Sequence, residues 1–310
     1  MFQLYKNRNF SDLISDTFSF LKIYGKHYFK NYFIINGSLL LLLMVLFYVI
    51  FKVYFDVLFS NMNNQDPSFL MNYFNDNSGI VIGVFCLLGL LFIFMAMLNF
   101  AFPTIYFYLY EKNNGTNFTA KDCLNTIKGK MGKIAIFFLA LLLLTFTVGV
   151  LIFGLVFALF FIFIGIPLLI IIGPAIINVV NLSFYIYMNS EIGVFQAFSK
   201  GIEYLRQKFW PAIGSSLIIY IIIQVASYIF TMIPYSFAIF SLFSSENKNV
   251  EDFSFFGIIM VIVMCIAFVG TMVLNNLIFI NSGLIYYSIK EDNENIYSRS
   301  TIDQIGQHEE

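Results

Sequence analysis

The sequence predicts an all-α polytopic membrane bundle: six transmembrane helices in three hairpins, each hairpin preceded by an amphipathic interfacial helix on the cytoplasmic side. Three observations lead there. The 310 residues are 59% hydrophobic and 11% charged, with 40 Phe, more apolar surface than a soluble domain can bury. Several windows exceed the roughly 20 apolar residues that cross a hydrocarbon core, and residues 134–190 hold no Asp, Glu, Lys, Arg or His. Fifteen of the seventeen Lys and Arg fall in four segments, 1–30, 111–133, 189–210 and 289–310, separated by apolar stretches long enough for two crossings each. Backbone groups in hydrocarbon need internal hydrogen bonds, which leaves helices or closed barrels. Continuous apolar runs, without short dyad alternation, select helices.

In chain order, span one reads from 33 to 59 and span two from 79 to 110, with a polar outer loop of Asn, Asp and Pro67 between them. Span three covers 134–162 and span four 167–188, turning at Gly165-Ile166-Pro167, where Gly and Pro interrupt helix. Spans five and six cover 211–243 and 255–289, and 291–310 is an acidic, polar tail with little to bury. Residues 1–290 thus form a single membrane domain. Outside the basic segments stand only Lys52 and Lys248, so the positive-inside rule puts both termini in the cytoplasm. The first 30 residues lack a compact apolar core before a small-residue site and are expected to remain in the mature protein.

The segments entering the odd-numbered spans share a pattern. Asn9-Phe10-Ser11, Asn117-Phe118-Thr119 and Gly193-Val194-Phe195 each open a stretch of helical periodicity, with Ser11 and Thr119 placed as N-caps. Their apolar stripes are Leu13, Ile14, Thr17, Phe18 and Leu21, then Leu124, Ile127 and Met131, then Phe195, Phe198, Ile202 and Leu205. Basic pairs follow: Lys22 and Lys26, Lys128 and Lys130, Arg206 and Lys208. These read as helices lying on the inner leaflet. The even-numbered spans end alike, in Ile105-Tyr106-Phe107-Tyr108, Phe184-Tyr185-Ile186-Tyr187 and Leu284-Ile285-Tyr286-Tyr287, which suits an interfacial aromatic belt.

The stretch Glu191-Ile192-Gly193-Val194-Phe195-Gln196-Ala197-Phe198-Ser199-Lys200-Gly201-Ile202-Glu203-Tyr204-Leu205-Arg206-Gln207-Lys208-Phe209-Trp210, running into Pro211-Ala212-Ile213-Gly214, resembles a segment of the membrane domain attached to some bacterial glycerophosphodiester phosphodiesterases and of YciC-type inner-membrane proteins. Phe10 to Lys30 is similar in the same sense. The chain departs from that pattern at Lys200-Gly201 and at Gln207, and no part of it has room for a phosphodiesterase barrel. The resemblance implies a bacterial inner-membrane helical bundle of unassigned function; it does not imply phosphodiester hydrolysis.

Candidate chemistry is sparse. Lys52 and Asp56, four residues apart near the outer end of span one, share a helix face and can neutralise each other. Six amides lie toward the inner halves of the even-numbered spans: Asn99, Asn178, Asn181, Asn275, Asn276 and Asn281. They either hydrogen-bond between helices and hold the bundle or line a polar site between spans two, four and six. His27 and His308 have no ligand-like spacing around them, Gly129-Lys130-Met131-Gly132-Lys133 lacks the phosphate-loop pattern, and the three cysteines are expected to be free thiols. No nucleophile with a base, and no acid/base pair, can be assembled within the spans. The sequence therefore predicts a non-enzymatic membrane protein without cofactor, metal or nucleic-acid partner. It would act as an accessory or scaffold subunit through membrane lipids or membrane-protein partners; a carrier or lipid-handling protein is the alternative.

Overall fold

The computed structural model describes residues 2–64, 75–160, 165–244 and 250–296. Among these residues there are helices and no strand. They are α1 (Phe10–Asn64), α2 (Ser78–Lys112), α3 (Ala120–Gly129), α4 (Met131–Leu144), α5 (Val150–Phe160), α6 (Gly165–Asn189), α7 (Val194–Gln207), α8 (Phe209–Ser244), α9 (Val250–Leu274) and α10 (Asn276–Glu294). A π-helical turn, Thr145–Gly149, joins α4 to α5. There Thr145 and Thr147 donate their hydroxyls to the carbonyls of Leu141 and Leu143, at 2.8 and 2.9 Å. Such back-bonding gives carbonyls a partner inside the helix where lipid offers none.

Six stretches are long and apolar enough to cross a bilayer: Phe10–Ile50, Ser78–Lys112, Met131–Leu159, Gly165–Asn189, Phe209–Ile229 and Val261–Glu294. Their outward faces carry large apolar side chains, with Leu151 73% and Ile80 70% exposed. Soluble proteins do not sustain apolar surface on that scale; in hydrocarbon it has no cost. The chain is a multi-pass membrane protein.

Local departures from the sequence reading have local causes. α1 runs unbroken from Phe10, so the first amphipathic stretch and span one are one helix of 55 residues. No Pro interrupts it, whereas the later stretches break at Lys130, between Gly129 and Gly132, and at Lys208, just before Pro211. Pro211 occupies the first turn of α8, where a missing N–H leaves no bond unmade. α1 is capped by Asn9 and not by Ser11: Asn9 Oδ1 accepts the Asp12 N–H at 2.9 Å, and Asp12 accepts the Asn9 N–H at 3.2 Å. Thr119 does cap α3, and its N–H and hydroxyl both donate to the Asp122 carboxylate at 2.8 Å; these bonds hold Asp122 below the usual carboxylate range. Gly165, Ile166 and Pro167 are the first turn of α6 and no loop, Pro167 again falling where no N–H is needed. Residues Asn275 and Asn276 divide span six, with Asn275 in a turn between α9 and α10.

The chain separates into two compact units. Unit 2, residues 36–98 and 223–275, packs Phe47, Phe92 and Phe268 edge to face, with centroids 5.3 to 5.7 Å apart. Unit 1, residues 1–35, 99–222 and 276–310, contains the short helices α3 and α7. In α7 the inward face is Ala197, Phe198, Gly201 and Leu205, while Phe195 and Ile202 are exposed, so the predicted stripe is rotated. Small residues decide the rotation, because they let α7 lie directly on α6. A Cβ on Gly201 would overlap Ser183 Oγ and come within 3.0 Å of the Val179 carbonyl oxygen. Gly201→Ala should therefore lower the thermal stability of the detergent-solubilised protein by about 1–3 kcal/mol, the range for overpacking. An unchanged melting temperature would contradict this approach of α7 to α6.

Candidate functional site

Among the described residues of unit 1 are a membrane-embedded amide set and a polar cavity at the ends of α2, α6 and α10. Four of the amides bond across helices. Asn178 on α6 donates to the Pro174 carbonyl at 2.9 Å and to Ser216 Oγ on α8 at 2.9 Å. Asn281 on α10 donates to Ser216 Oγ at 3.1 Å and to Ser215 Oγ at 3.3 Å, and accepts from Thr17 on α1 at 3.4 Å. Asn181 reaches Ser282 at 2.9 Å, and Asn276 accepts from the Tyr28 hydroxyl at 2.8 Å. Asn99 is buried on α2, and Asn275 lies in the turn between α9 and α10. Asn178 and Asn281 thus share Ser216, while Asn181 and Asn276 each pair elsewhere. The partners are hydroxyls, which both donate and accept, so a serine facing an asparagine satisfies two helices at once.

Most of the tyrosines at the ends of the even-numbered spans are buried in the protein, and Tyr108 is half-buried. Tyr106, Tyr185, Tyr187, Tyr286 and Tyr287 are all buried. Their hydroxyls find protein partners: Tyr106 with His27 Nδ1 at 2.8 Å, Tyr185 with the Phe279 carbonyl at 3.3 Å, and Tyr287 with Glu111. Buried tyrosine needs such a partner and is stable where it has one. The other nitrogen of His27 lies 3.0 Å from the Phe118 carbonyl oxygen, so this imidazole joins α1 to the segment before α3.

The residues before α1 fold back onto the same end. Arg8 is fully buried; its guanidinium bonds Asp16 at 2.9 Å and the carbonyls of Gln3, Leu4 and Lys6. Burial pulls the Arg8 pKa down while Asp16 pushes it back up, and the set of acceptors keeps the charge supported. The Arg8 N–H donates to Ser288 Oγ on α10 at 2.8 Å. Lys208 converges there too, on Ser288 Oγ at 2.7 Å and Asp292 at 2.8 Å.

Next to this knot, Tyr108, Glu111, Lys112, Asn189 and Lys290 line a cavity of about 200 Å³. The Tyr5 hydroxyl donates to Glu111 Oε1 at 2.5 Å and the Tyr287 hydroxyl to Oε2 at 2.9 Å. Burial and the adjacent Glu111 carboxylate raise the Tyr5 pKa, so Tyr5 remains a donor. Lys290 donates to the Tyr5 hydroxyl at 3.2 Å. Lys130 stands 4.4 Å above the Tyr108 ring and donates to the Met188 carbonyl at 2.7 Å; burial, then Lys133, lowers its pKa.

Of the basic pairs read from the sequence, Lys22, Lys26, Lys128 and Arg206 are exposed, whereas Lys130 and Lys208 turn inward. The side chains of Lys52 and Asp56, and all of His308, lie outside the described residues. The sequence reading missed Arg8, Tyr5, Glu111 and Lys290. Glu111 carried the one available signal, an isolated acid closing a span at a basic boundary. No family model, curated protein or solved structure matches the chain.

If the amides hold helices together, Asn281→Ala leaves Thr17, Ser215 and Ser216 without that partner and should destabilise the protein by about 0.6–2 kcal/mol, the range for interhelical side-chain bonds. Thermal unfolding in detergent measures it, and wild-type stability would remove Asn281 from the helix-joining set.

Proposed function

We propose that this chain is a non-enzymatic bacterial inner-membrane protein, with both termini cytoplasmic, that serves as an accessory or scaffold subunit through contacts with lipids or other membrane proteins. The observation that carries this reading is the pairing of the embedded amides. Asn178, Asn181, Asn276 and Asn281 each bond a side chain on another helix of the same unit, an arrangement that holds helices together. The resemblance of residues 191–214 to YciC-type proteins supports the same class, as does the placement of Lys and Arg.

An apolar groove favours lipid handling as a second reading. Leu169, Ile170, Gly173, Pro174, Ile177, Leu217, Tyr220 and Ile278 enclose about 360 Å³ beside Ser216. Its shape and lining suit an acyl chain better than a polar solute.

Two measurements test the proposal. Extraction of the full chain with its native lipid should recover a membrane-protein partner in fixed proportion. A monodisperse lone protein, together with normal assembly of other membrane complexes in its absence, would count against the scaffold role. For orientation, cysteine introduced by Ser199→Cys in an otherwise cysteine-free chain should be labelled only from the cytoplasmic side; labelling from outside would reverse the topology.

A further inference from the structure

We propose that the cavity between Tyr108, Lys112, Asn189 and Lys290 binds the phosphate of an anionic phospholipid headgroup. This rests on the reading that the protein works through lipid or protein contacts and names one lipid site within it. The argument begins with charge balance. Lys6, Arg8, Lys133 and Lys208 each have a carboxylate within 3.2 Å. Lys112, Lys130 and Lys290 have none within ion-pair distance among the described residues, as is also true of the exposed lysines of α1, α3 and α7; these three differ in converging around Tyr108, where Lys290 donates to a neutral phenol and Lys130 to a carbonyl. The one carboxylate on the cavity wall, Glu111, is engaged at both oxygens by Tyr5 and Tyr287. Two of these unpaired ammonium groups line the wall and the third sits over the ring of Tyr108.

Helix polarity does not supply the missing negative charge. The C-terminal ends of α2 and α6 meet here, and such ends attract cations, but several of the carbonyls at these ends already have partners. Asn113 Nδ2 and its N–H both bond the Leu109 carbonyl, and the Gly115 N–H bonds that of Tyr110. Lys130 and Lys133 bond the carbonyls of Met188 and Ser190. The remaining deficit faces the cavity, and a phosphate offers several acceptor oxygens to answer two ammonium groups at once.

Position selects the source of the phosphate. Two apolar crossings end at the cavity wall, at Lys112 and Asn189, and Lys290 lies in the last turn or so of a third. That is the depth at which a bilayer presents headgroups. A cavity of about 200 Å³ accommodates a phosphate with a small alcohol and leaves the acyl chains in the bilayer.

The test uses the full chain in detergent, titrated with phosphatidylglycerol or phosphatidylcholine and read by native mass spectrometry. We expect a bound phosphatidylglycerol that phosphatidylcholine does not match. The double variant Lys112→Gln/Lys290→Gln should weaken it by about tenfold or more, which corresponds to loss of charge-assisted bonds. Lys112→Arg/Lys290→Arg should retain most of the binding, and Lys121→Gln/Lys200→Gln, on exposed lysines, should bind as wild type. Equal weakening by both Gln pairs, wild-type affinity in the Lys112/Lys290 Gln variant, or equal binding of the two lipids would overturn the site. Displacement of the lipid by millimolar inorganic phosphate would overturn the lipid as its source. Because native extraction of a partner is measured separately, a failed titration beside a recovered partner removes this site and leaves the scaffold reading standing.

Discussion

A polar group inside a bilayer must find its partner within the protein, and the organisation of unit 1 follows from that constraint. Helices satisfy the backbone; side chains have to be satisfied between helices. Asn178 and Asn281 meet at Ser216, Thr17 reaches Asn281, and Tyr28 reaches Asn276. Through these bonds α1, α6, α8 and α10 acquire a register that apolar packing alone would leave loose, since lipid is as good a neighbour for leucine as another leucine is. Small residues complete the arrangement. Gly201, Gly214 and Gly283 are places where a methyl group would collide with Ser183, Phe10 or Phe107, so helices approach closely where hydroxyls and rings need to meet.

At the basic boundary the same constraint acts on charge. Arg8 is enclosed by carbonyls and Asp16, Lys208 ties the residues before α1 to α10, and Lys130 and Lys133 hold the carbonyls at the end of α6. Basic residues here are structural fasteners. Two ammonium groups without a carboxylate, those of Lys112 and Lys290, share one cavity wall, where an outside anion would be accommodated.

How much of this was legible depended on the range of the interaction. Apolar run length and charge placement are local properties, so the helical class and the crossings could be read directly, and the Thr119 cap with them. Which face of a helix turns inward was not legible: Phe195 and Ile202 have the same periodicity as Phe198 and Leu205, and only the contact of Gly201 with α6 separates them. A tyrosine at a span end is equally consistent with a belt and with a core, and its hydroxyl's partner decides between them. Arg8 with Ser288, or Tyr5 with Glu111, joins residues hundreds or scores of positions apart, and composition holds no trace of such pairs.

The central claim is that the embedded amides are dry helix-to-helix fasteners. A density map of the full chain in a lipid nanodisc, at a resolution that shows ordered water, tests it most directly. The account predicts Asn178 and Asn281 bonded to serine hydroxyls with no water between α6, α8 and α10. A water-filled passage reaching Asn178 or Asn281 from the basic end would contradict it and turn the same residues into the lining of a polar path.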